Sequence, residues 1–267
     1  MADTDRYQLK DNAPQVYEQG VVPLLFRPLA ELTFESVSLN KGERVLDAAC
    51  GTGIVTRVAM ERFSNIGKIV GVDLNPGMLE VARANTPKTN IPVDWQQGDL
   101  CALPFPDGGF DVVLCQQSLQ FIPDKAAALR EMRRVLAGGG RLIFTVWVES
   151  PYHTALADAL TRHVSAKAAK GCLSPYALHD ARTVRKLVSD AGFPKIEMKT
   201  LEVMIRVSPS SADSLFETIA ARSPFAREIS EVRATLNQEV TAALRAYRDG
   251  NDFVIPWKNH LVQTQAG

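Results

Sequence analysis

Two glycines one residue apart, in Gly51-Thr52-Gly53, follow a β-rich run around Val45-Leu46 and precede a helical pattern. Such a strand-to-helix turn lets backbone N–H groups approach a ligand closely at a helix N-terminus. Asp73 lies twenty residues beyond Gly53, at the end of the next strand, where a carboxylate can grip both hydroxyls of an adenosine ribose. Asp47 stands just before the glycine turn and decides between two nucleotide readings. It would repel the pyrophosphate of a dinucleotide, and Thr56 occupies the place of the third glycine in G-x-G-x-x-G. S-adenosylmethionine has no phosphate and brings an ammonium that a carboxylate can pair. The residues therefore favour a sulfonium nucleoside over NAD.

The elements that hold these residues follow from periodicity. From 43 to 148, β-rich runs alternate with helical patterns, which predicts an α/β fold with a parallel sheet wound by helices. Strands are expected over 43–49, 68–73, 92–97, 110–115 and 141–148. Helices are expected over 54–63, after Asn75-Pro76 and after Pro123-Asp124, the last ending at Gly138-Gly139-Gly140. The second half predicts a helical stretch over 154–170, a loop over 171–179, a helix over 181–191 closed by Gly192, and strands over 195–207 and 252–263. Between those strands, Phe225, Ile229, Val232, Leu236, Val240, Ala243 and Tyr247 form one apolar stripe at helical spacing.

Thirty basic and thirty acidic side chains in 267 residues leave no surplus for neutralising duplex phosphates, so no nucleic-acid partner is expected. Apolar runs are too short for a membrane span, and the N-terminus lacks a signal-peptide pattern. Cys50, Cys101, Cys115 and Cys172 are widely spaced and the histidines unclustered, the pattern of a reduced cytoplasmic protein with no metal site. A monomer or homodimer is expected.

Several motifs recur in a known order: Leu46-Asp47-Ala48-Ala49-Cys50-Gly51-Thr52-Gly53, then Gly71-Val72-Asp73-Leu74-Asn75-Pro76-Gly77-Met78-Leu79, then Gly98-Asp99-Leu100. Leu103-Pro104-Phe105-Pro106-Asp107 and Phe110-Asp111-Val112-Val113 follow. On these residues the chain resembles the class I S-adenosylmethionine-dependent methyltransferases, in the small-molecule branch that includes ubiquinone/menaquinone-biosynthesis-type enzymes. The resemblance implies a Rossmann-like, doubly wound, seven-stranded sheet, six strands parallel and the last antiparallel, with helical lid insertions. It implies that Asp47, Gly51, Thr52 and Gly53 line the methionine end of the cofactor and Asp73 the ribose. Leu74 and Met78 would flank the adenine. Gly98, Asp99 and Leu100 would meet its amino edge, and Cys115 and Gln116 would lie under the sulfonium. Ala137-Gly138 departs from the proline often found before the paired glycines, in a surface turn.

Other residues carry open readings. Cys50 and Cys115 read as packing residues rather than nucleophiles. Tyr17 and Phe26 either close over the cofactor or pack their segment onto the domain. Tyr152, His153 and His179 follow the fifth strand on the active-site side and are candidate general bases, each with a plain loop role as the alternative. Residues 150–195 carry seven basic and three acidic side chains, either a solvated face or an attraction for an anionic substrate. The expected organisation is one domain: an N-terminal helical segment over 1–42, a cofactor core over 43–148, and substrate-cover insertions over 149–180 and 208–250. Phe216, Ile219 and Phe225 would wall an apolar acceptor pocket. The expected activity is methyl transfer to a small organic acceptor. An NAD-dependent oxidoreductase and a non-catalytic S-adenosylmethionine-binding module are the alternatives. Nucleic-acid methylation is weaker still, since Cys115-Gln116-Gln117-Ser118 replaces the Asp/Asn-Pro-Pro-aromatic motif that holds a flipped base.

Overall fold

A computed structural model describes residues 12–208, 212, 215, 216 and 224–267. One mixed sheet is built from β1 (Arg44–Ala48), β2 (Lys68–Asp73), β3 (Val93–Gln97), β4 (Phe110–Gln116), β5 (Leu136–Glu149), β6 (Ile196–Val207), a two-residue β7 (Arg248–Asp249) and β8 (Asp252–Gln265). Its order is β3-β2-β1-β4-β5-β8-β6, with β7 paired to β8. Neighbours from β3 through β5 are parallel, and β8 runs antiparallel to both β5 and β6. The six parallel strands and the returning last strand are as the resemblance implied; the β7 ribbon is additional. β1 and β4 are adjacent although β2 and β3 intervene in sequence, so the winding reverses between them. That reversal makes the crevice beyond their carboxyl ends the place for a ligand.

The described helices are α1 (Ala13–Val21), α2 (Arg27–Ser36), α3 (Ile54–Arg62), α4 (Pro76–Ala84), α5 (Lys125–Val135), α6 (Pro151–His163), α7 (Ala166–Cys172), α8 (Ala181–Asp190), α9 (Ala226–Glu231) and α10 (Arg233–Ala243). A π-helical stretch, Val22–Phe26, joins α1 to α2. Alternation along β1 sends Val45 into a core with α2 and α3, and Leu46 into a second core with α5 and α8. Burial on both faces is why these strands read as continuous apolar runs. Asn75 caps α4 as expected, its Oδ1 accepting the Gly77 N–H at 2.9 Å ahead of Pro76.

Three boundaries differ from expectation. The glycine triplet does not end α5 but lies inside β5: Leu136 is already extended and pairs with Phe110, while Gly139 sits at φ +75 with its N–H on the Ala266 carbonyl. The stretch 154–170 divides into α6 and α7, with the Ser165 side chain accepting the Ala168 N–H as a new cap. The stripe from Phe225 to Tyr247 also divides, α9 ending at Val232 (φ −110, ψ 13) before α10 begins. Apolar spacing reports which faces are buried and is blind to a one-residue break between collinear helices.

Both intervening segments leave the sheet at the carboxyl rim. The chain enters α6 directly from β5. Residues 208–250 leave β6 at Val207, opposite Phe253 where β8 begins, so the segment starts and finishes at one edge. α6 meets α10 through Arg162 and His163, which share Glu239. Part of the basic surplus of 150–195 is engaged by the second segment: Arg162 on Glu239, and Lys167 over the Phe225 ring at 5.9 Å.

Candidate functional site

Beyond β1 the chain reverses through Ala49 (φ +55) and Gly51 (φ +54), and Gly53 (φ +82) opens α3. The turn is pinned to β2, since the Cys50 N–H donates to the Val72 carbonyl at 3.0 Å. Asp73, at the carboxyl end of β2, completes it. One carboxylate oxygen accepts the Gly51 N–H at 2.8 Å and the other the Asn75 N–H at 2.9 Å. Each oxygen keeps a second lone-pair direction. Burial raises the Asp73 pKa, opposed by those backbone N–H groups.

The two glycines of the turn do different work. A Cβ on Gly51 would meet nothing within 4 Å, so this position opens onto free space. A Cβ on Gly53 would lie 2.5 Å from the Trp95 indole, and one on Gly71 only 2.2 Å from it. Trp95, on β3 and 8% exposed, is the wedge that Gly53 and Gly71 accommodate, alongside Cys50, Leu79 and Ala82. Gly71→Ala is expected to cost about 1–3 kcal/mol through overpacking. Chemical denaturation measures it, and an unchanged midpoint would remove Trp95 from this role.

Asp47 is 1% exposed, and its Oδ2 accepts both the Thr56 N–H (3.1 Å) and the Thr56 hydroxyl (2.7 Å). Thr56, where a dinucleotide site would have glycine, is thus the partner of the carboxylate. Burial pushes the Asp47 pKa up to about 6, Thr56 opposes the rise, and the Asp73 charge adds to it. The buried Asp47 and half-buried Asp73 carboxylates make the open turn strongly electronegative.

The remaining expected residues gather at the same rim. Gly98 donates its N–H to the Asp73 carbonyl at 3.0 Å, which sets Asp99 and Leu100 beside the turn. Asp99 is exposed, with one oxygen on the Cys101 N–H at 2.8 Å, while Leu100 is buried. Leu74 and Met78 are half-buried, and the Leu74 carbonyl accepts from the Gln97 amide. Gln116 closes the opposite side, its Nε2 donating to the Phe26 carbonyl at 3.0 Å. Tyr17 packs on Phe26 at 5.5 Å between ring centroids, so the N-terminal helices reach the rim. Cys115 is 1% exposed and burial pushes its thiol up to about 12, which suits packing and not nucleophilic attack.

Glu18 was not anticipated. Its Oε1 takes the Arg57 guanidinium at 2.6 Å, and Arg57 also donates to the Thr52 carbonyl, tying α1 to the glycine turn. The other Glu18 oxygen and the Thr52 hydroxyl are buried with no hydrogen-bond partner. Nothing in the sequence linked Glu18 to a turn more than thirty residues away.

The candidate bases separate. Tyr152 is buried, its ring stacked on Trp257 at 6.2 Å. His179 is exposed, with Nδ1 bonded to the Tyr176 carbonyl at 2.8 Å. His153 is 7% exposed and burial lowers its pKa to about 4, so it is neutral near pH 7. Its Nδ1 lies 2.9 Å from the Tyr176 hydroxyl, which accepts from the Trp257 indole at 3.2 Å. Trp257 can only donate, and the phenol oxygen, with two lone pairs, meets Nδ1 in either histidine tautomer.

Of the expected acceptor wall, Phe216 is buried beneath the Arg233 guanidinium and Phe225 is half-buried, while Ile219 lies outside the described residues. No grouping of three metal-ligating side chains occurs among the described residues, and no described helix is long and apolar enough to cross a membrane.

Fold and site together define a Rossmann-like nucleotide-binding protein with an acidic, phosphate-averse turn. Residues 46–144 match the methyltransferase domain family. The chain is 32% identical over 180 residues to the ubiquinone/menaquinone biosynthesis C-methyltransferase UbiE of Cronobacter sakazakii, covering 61% of this chain and 71% of that protein. It is 33% identical over 147 residues to the 2-phytyl-1,4-naphtoquinone methyltransferase of Synechococcus elongatus, covering 52% and 63%. It spans about half, 48%, of a 37.1 kDa protein in transposon TN4556 of Streptomyces fradiae, at 32% identity over 62% of this chain. The structure of Haemonchus contortus phosphoethanolamine N-methyltransferase 2 with S-adenosyl-L-methionine superposes with a TM-score of 0.58 over 98% of this chain and 59% of that one, at 19% identity, a likeness of fold. The chain belongs to the S-adenosylmethionine-dependent methyltransferases. That membership overturns the dinucleotide oxidoreductase alternative.

Proposed function

We propose that this chain moves a methyl group from S-adenosylmethionine to a small organic acceptor by in-line displacement. The observation that carries the reading is the glycine turn itself. It opens at Gly51, is flanked by the buried Asp47 and half-buried Asp73 carboxylates, and keeps two unpartnered buried oxygens on Glu18 and Thr52. These groups fit a ligand that carries positive charge, hydroxyls and an ammonium, and they oppose a polyphosphate. When bound, S-adenosylmethionine supplies an electrophilic methyl on a sulfonium.

The protein's own part is binding, alignment and exclusion of water. Asp73 offers the free lone pairs of both oxygens to the ribose hydroxyls, and Asp99 does the same for the adenine amino group. Asp47, Glu18 and Thr52 hold the amino-acid end, with Arg57 fixing the distance between α1 and the turn. Segment 149–180 and the described part of 208–250 supply the cover over the acceptor. Among the described residues, His153 is held neutral by burial near pH 7.

The charge arrangement has a pH signature. Asp47 must ionise to attract a cation, and its pKa stands near 6. Affinity for S-adenosylmethionine, a net cation, should rise by about tenfold from about pH 5 to about pH 7, and Asp47→Asn should flatten the rise. Neutral S-adenosylhomocysteine should respond less. The same raised pKa makes folding stability fall, not rise, as pH climbs from the unfolded carboxylate range through about 6, because the native state holds the proton more tightly. Calorimetric titrations across that range check the binding slope, and identical slopes for wild type and Asp47→Asn would refute it. Transfer of a labelled methyl to members of a phenol, quinol, amine and thiol panel tests the activity; cofactor binding without transfer to any of them would favour the non-catalytic module.

A further inference from the structure

Six buried side-chain oxygens among the described residues have no hydrogen-bond partner. Those of Thr33 and Thr145 line one cavity of about 10 Å³ beneath α2, room for a single water. Those of Glu18 and Thr52 belong to the glycine turn. The last two are Gln120 Oε1 and the Ser150 hydroxyl, which lies against the Tyr176 phenol without a well-formed bond. Gln120 is 4% exposed. An amide oxygen buried without a donor is unfavourable, and it demands one.

Gln120 ends a relay whose direction is set at its other end. The Trp257 carbonyl can only accept, so Asn259 presents Nδ2 to it at 3.0 Å and turns Oδ1 toward Gln117. Gln117 Nε2 donates to that oxygen at 2.7 Å, and Gln117 Oε1 accepts from Gln120 Nε2 at 3.0 Å. Flipping any one amide would set like against like, so the free atom of the chain is an acceptor and not a donor. Gln117 also holds a left-handed backbone (φ +55), strain that persists only where the surroundings enforce it.

The relay stands at the switch point. Gln117 follows β4 directly, and its N–H donates to the Thr145 carbonyl of β5. Ser118, the next residue, reaches the Ala49 carbonyl of the glycine turn at 3.5 Å. The short turn Leu119–Phe121, which carries Gln120, packs against Ser174–Tyr176 of the covering segment. The residues of the relay therefore stand between the glycine turn and Ser174–Tyr176, at the carboxyl end of β4.

We propose that Gln120 Oε1 selects the methyl acceptor, favouring molecules that present an O–H or N–H donor, such as a phenol, a quinol or an amine. Molecules that present only accepting oxygens, such as a quinone carbonyl or an aryl ether, leave Oε1 unpaired and are disfavoured. The proposal rests on the methyltransferase reading above and specifies its acceptor.

Naphthol and methoxynaphthalene are the probes, differing by that one donor. Their binding to protein loaded with S-adenosylhomocysteine is measured by calorimetry for wild type and Gln120→Leu. Wild type should prefer naphthol by about tenfold or more, and Gln120→Leu should lose the preference while binding S-adenosylhomocysteine as wild type does. Equal affinity of wild type for the two probes, or no uptake of naphthol, overturns the proposal without any variant. A preference that persists in Gln120→Leu overturns it as well. Failure of wild type to bind S-adenosylhomocysteine would strike the methyltransferase reading instead.

Discussion

Replacing Asp73 with alanine should weaken S-adenosylhomocysteine binding by about two to three orders of magnitude, the largest effect on binding of any single substitution here. The carboxylate receives the Gly51 and Asn75 N–H groups and has a lone pair on each oxygen for a ribose hydroxyl. Hydrogen bonds to a charged group contribute about 1.5–3 kcal/mol each; at the lower end of that range, as suits a half-buried carboxylate, two lost ribose contacts sum to about 3–4 kcal/mol. Alanine also frees Gly51 from β2, so the open turn loses its shape. Asp73→Asn separates the two contributions, because its amide keeps one accepting oxygen and presents N–H groups to the other hydroxyl. An intermediate loss is expected for it. Calorimetric titration of the three proteins provides the comparison; an Asp73→Ala affinity within a factor of about two of wild type would mean that the ribose lies elsewhere.

Trp257→Ala should lower stability by about 3–5 kcal/mol, the largest stability effect expected, although the residue stands far along the sequence from every recognisable motif. The indole is 1% exposed and lies within 6.5 Å of the rings of Trp147, Tyr152 and His153. Its N–H is the donor that fixes the Tyr176 hydroxyl, which in turn fixes His153. Trp257→Phe keeps most of the packing and loses that bond, so it should cost about 1–2 kcal/mol. It should also raise the His153 pKa from about 4 toward the usual histidine range, as the loosened cover admits water. Chemical denaturation and histidine titration by NMR read the two consequences separately. A Trp257→Phe protein with an unmoved His153 titration would show that burial alone, without the relay, sets that histidine's state.

The cofactor half was legible because its chemistry is local in sequence. The turn, the capping asparagine with its proline and the acid at the end of β2 each lie within a few residues of the strand that positions them. Periodicity found those strands since they are buried on both faces. Thr56 was read correctly as a missing glycine, but its positive role, holding the Asp47 carboxylate, is visible only with α3 in place. Gly53 was read as making room for a ligand, whereas the indole of Trp95 occupies the space its side chain would take. A tryptophan in a short strand signals a bulky neighbour but cannot name it.

The substrate half was less legible for a physical reason. Gln117, Gln120 and Asn259 meet only because β8 folds back beside β5, a separation of 142 residues between Gln117 and Asn259. Glutamine and asparagine carry no periodic signature, and their significance lies in which atom is left unpaired. His153 shows the same limit. Its type and place after β5 suggested a base, while burial against the Tyr176 hydroxyl keeps it neutral near pH 7. The helix break at Val232 escaped notice because the apolar stripe continues across it.

Adding S-adenosylhomocysteine to isotopically labelled protein and following the backbone amide resonances tests the central claim most directly. Saturable shifts are expected at Gly51, Gly53, Gly98 and Cys101, whose N–H groups line or brace the acidic turn, with the amino edge of the sheet around Arg44 and Lys68 unmoved. No shifts at saturating ligand, or shifts confined to residues away from the glycine turn, would contradict it.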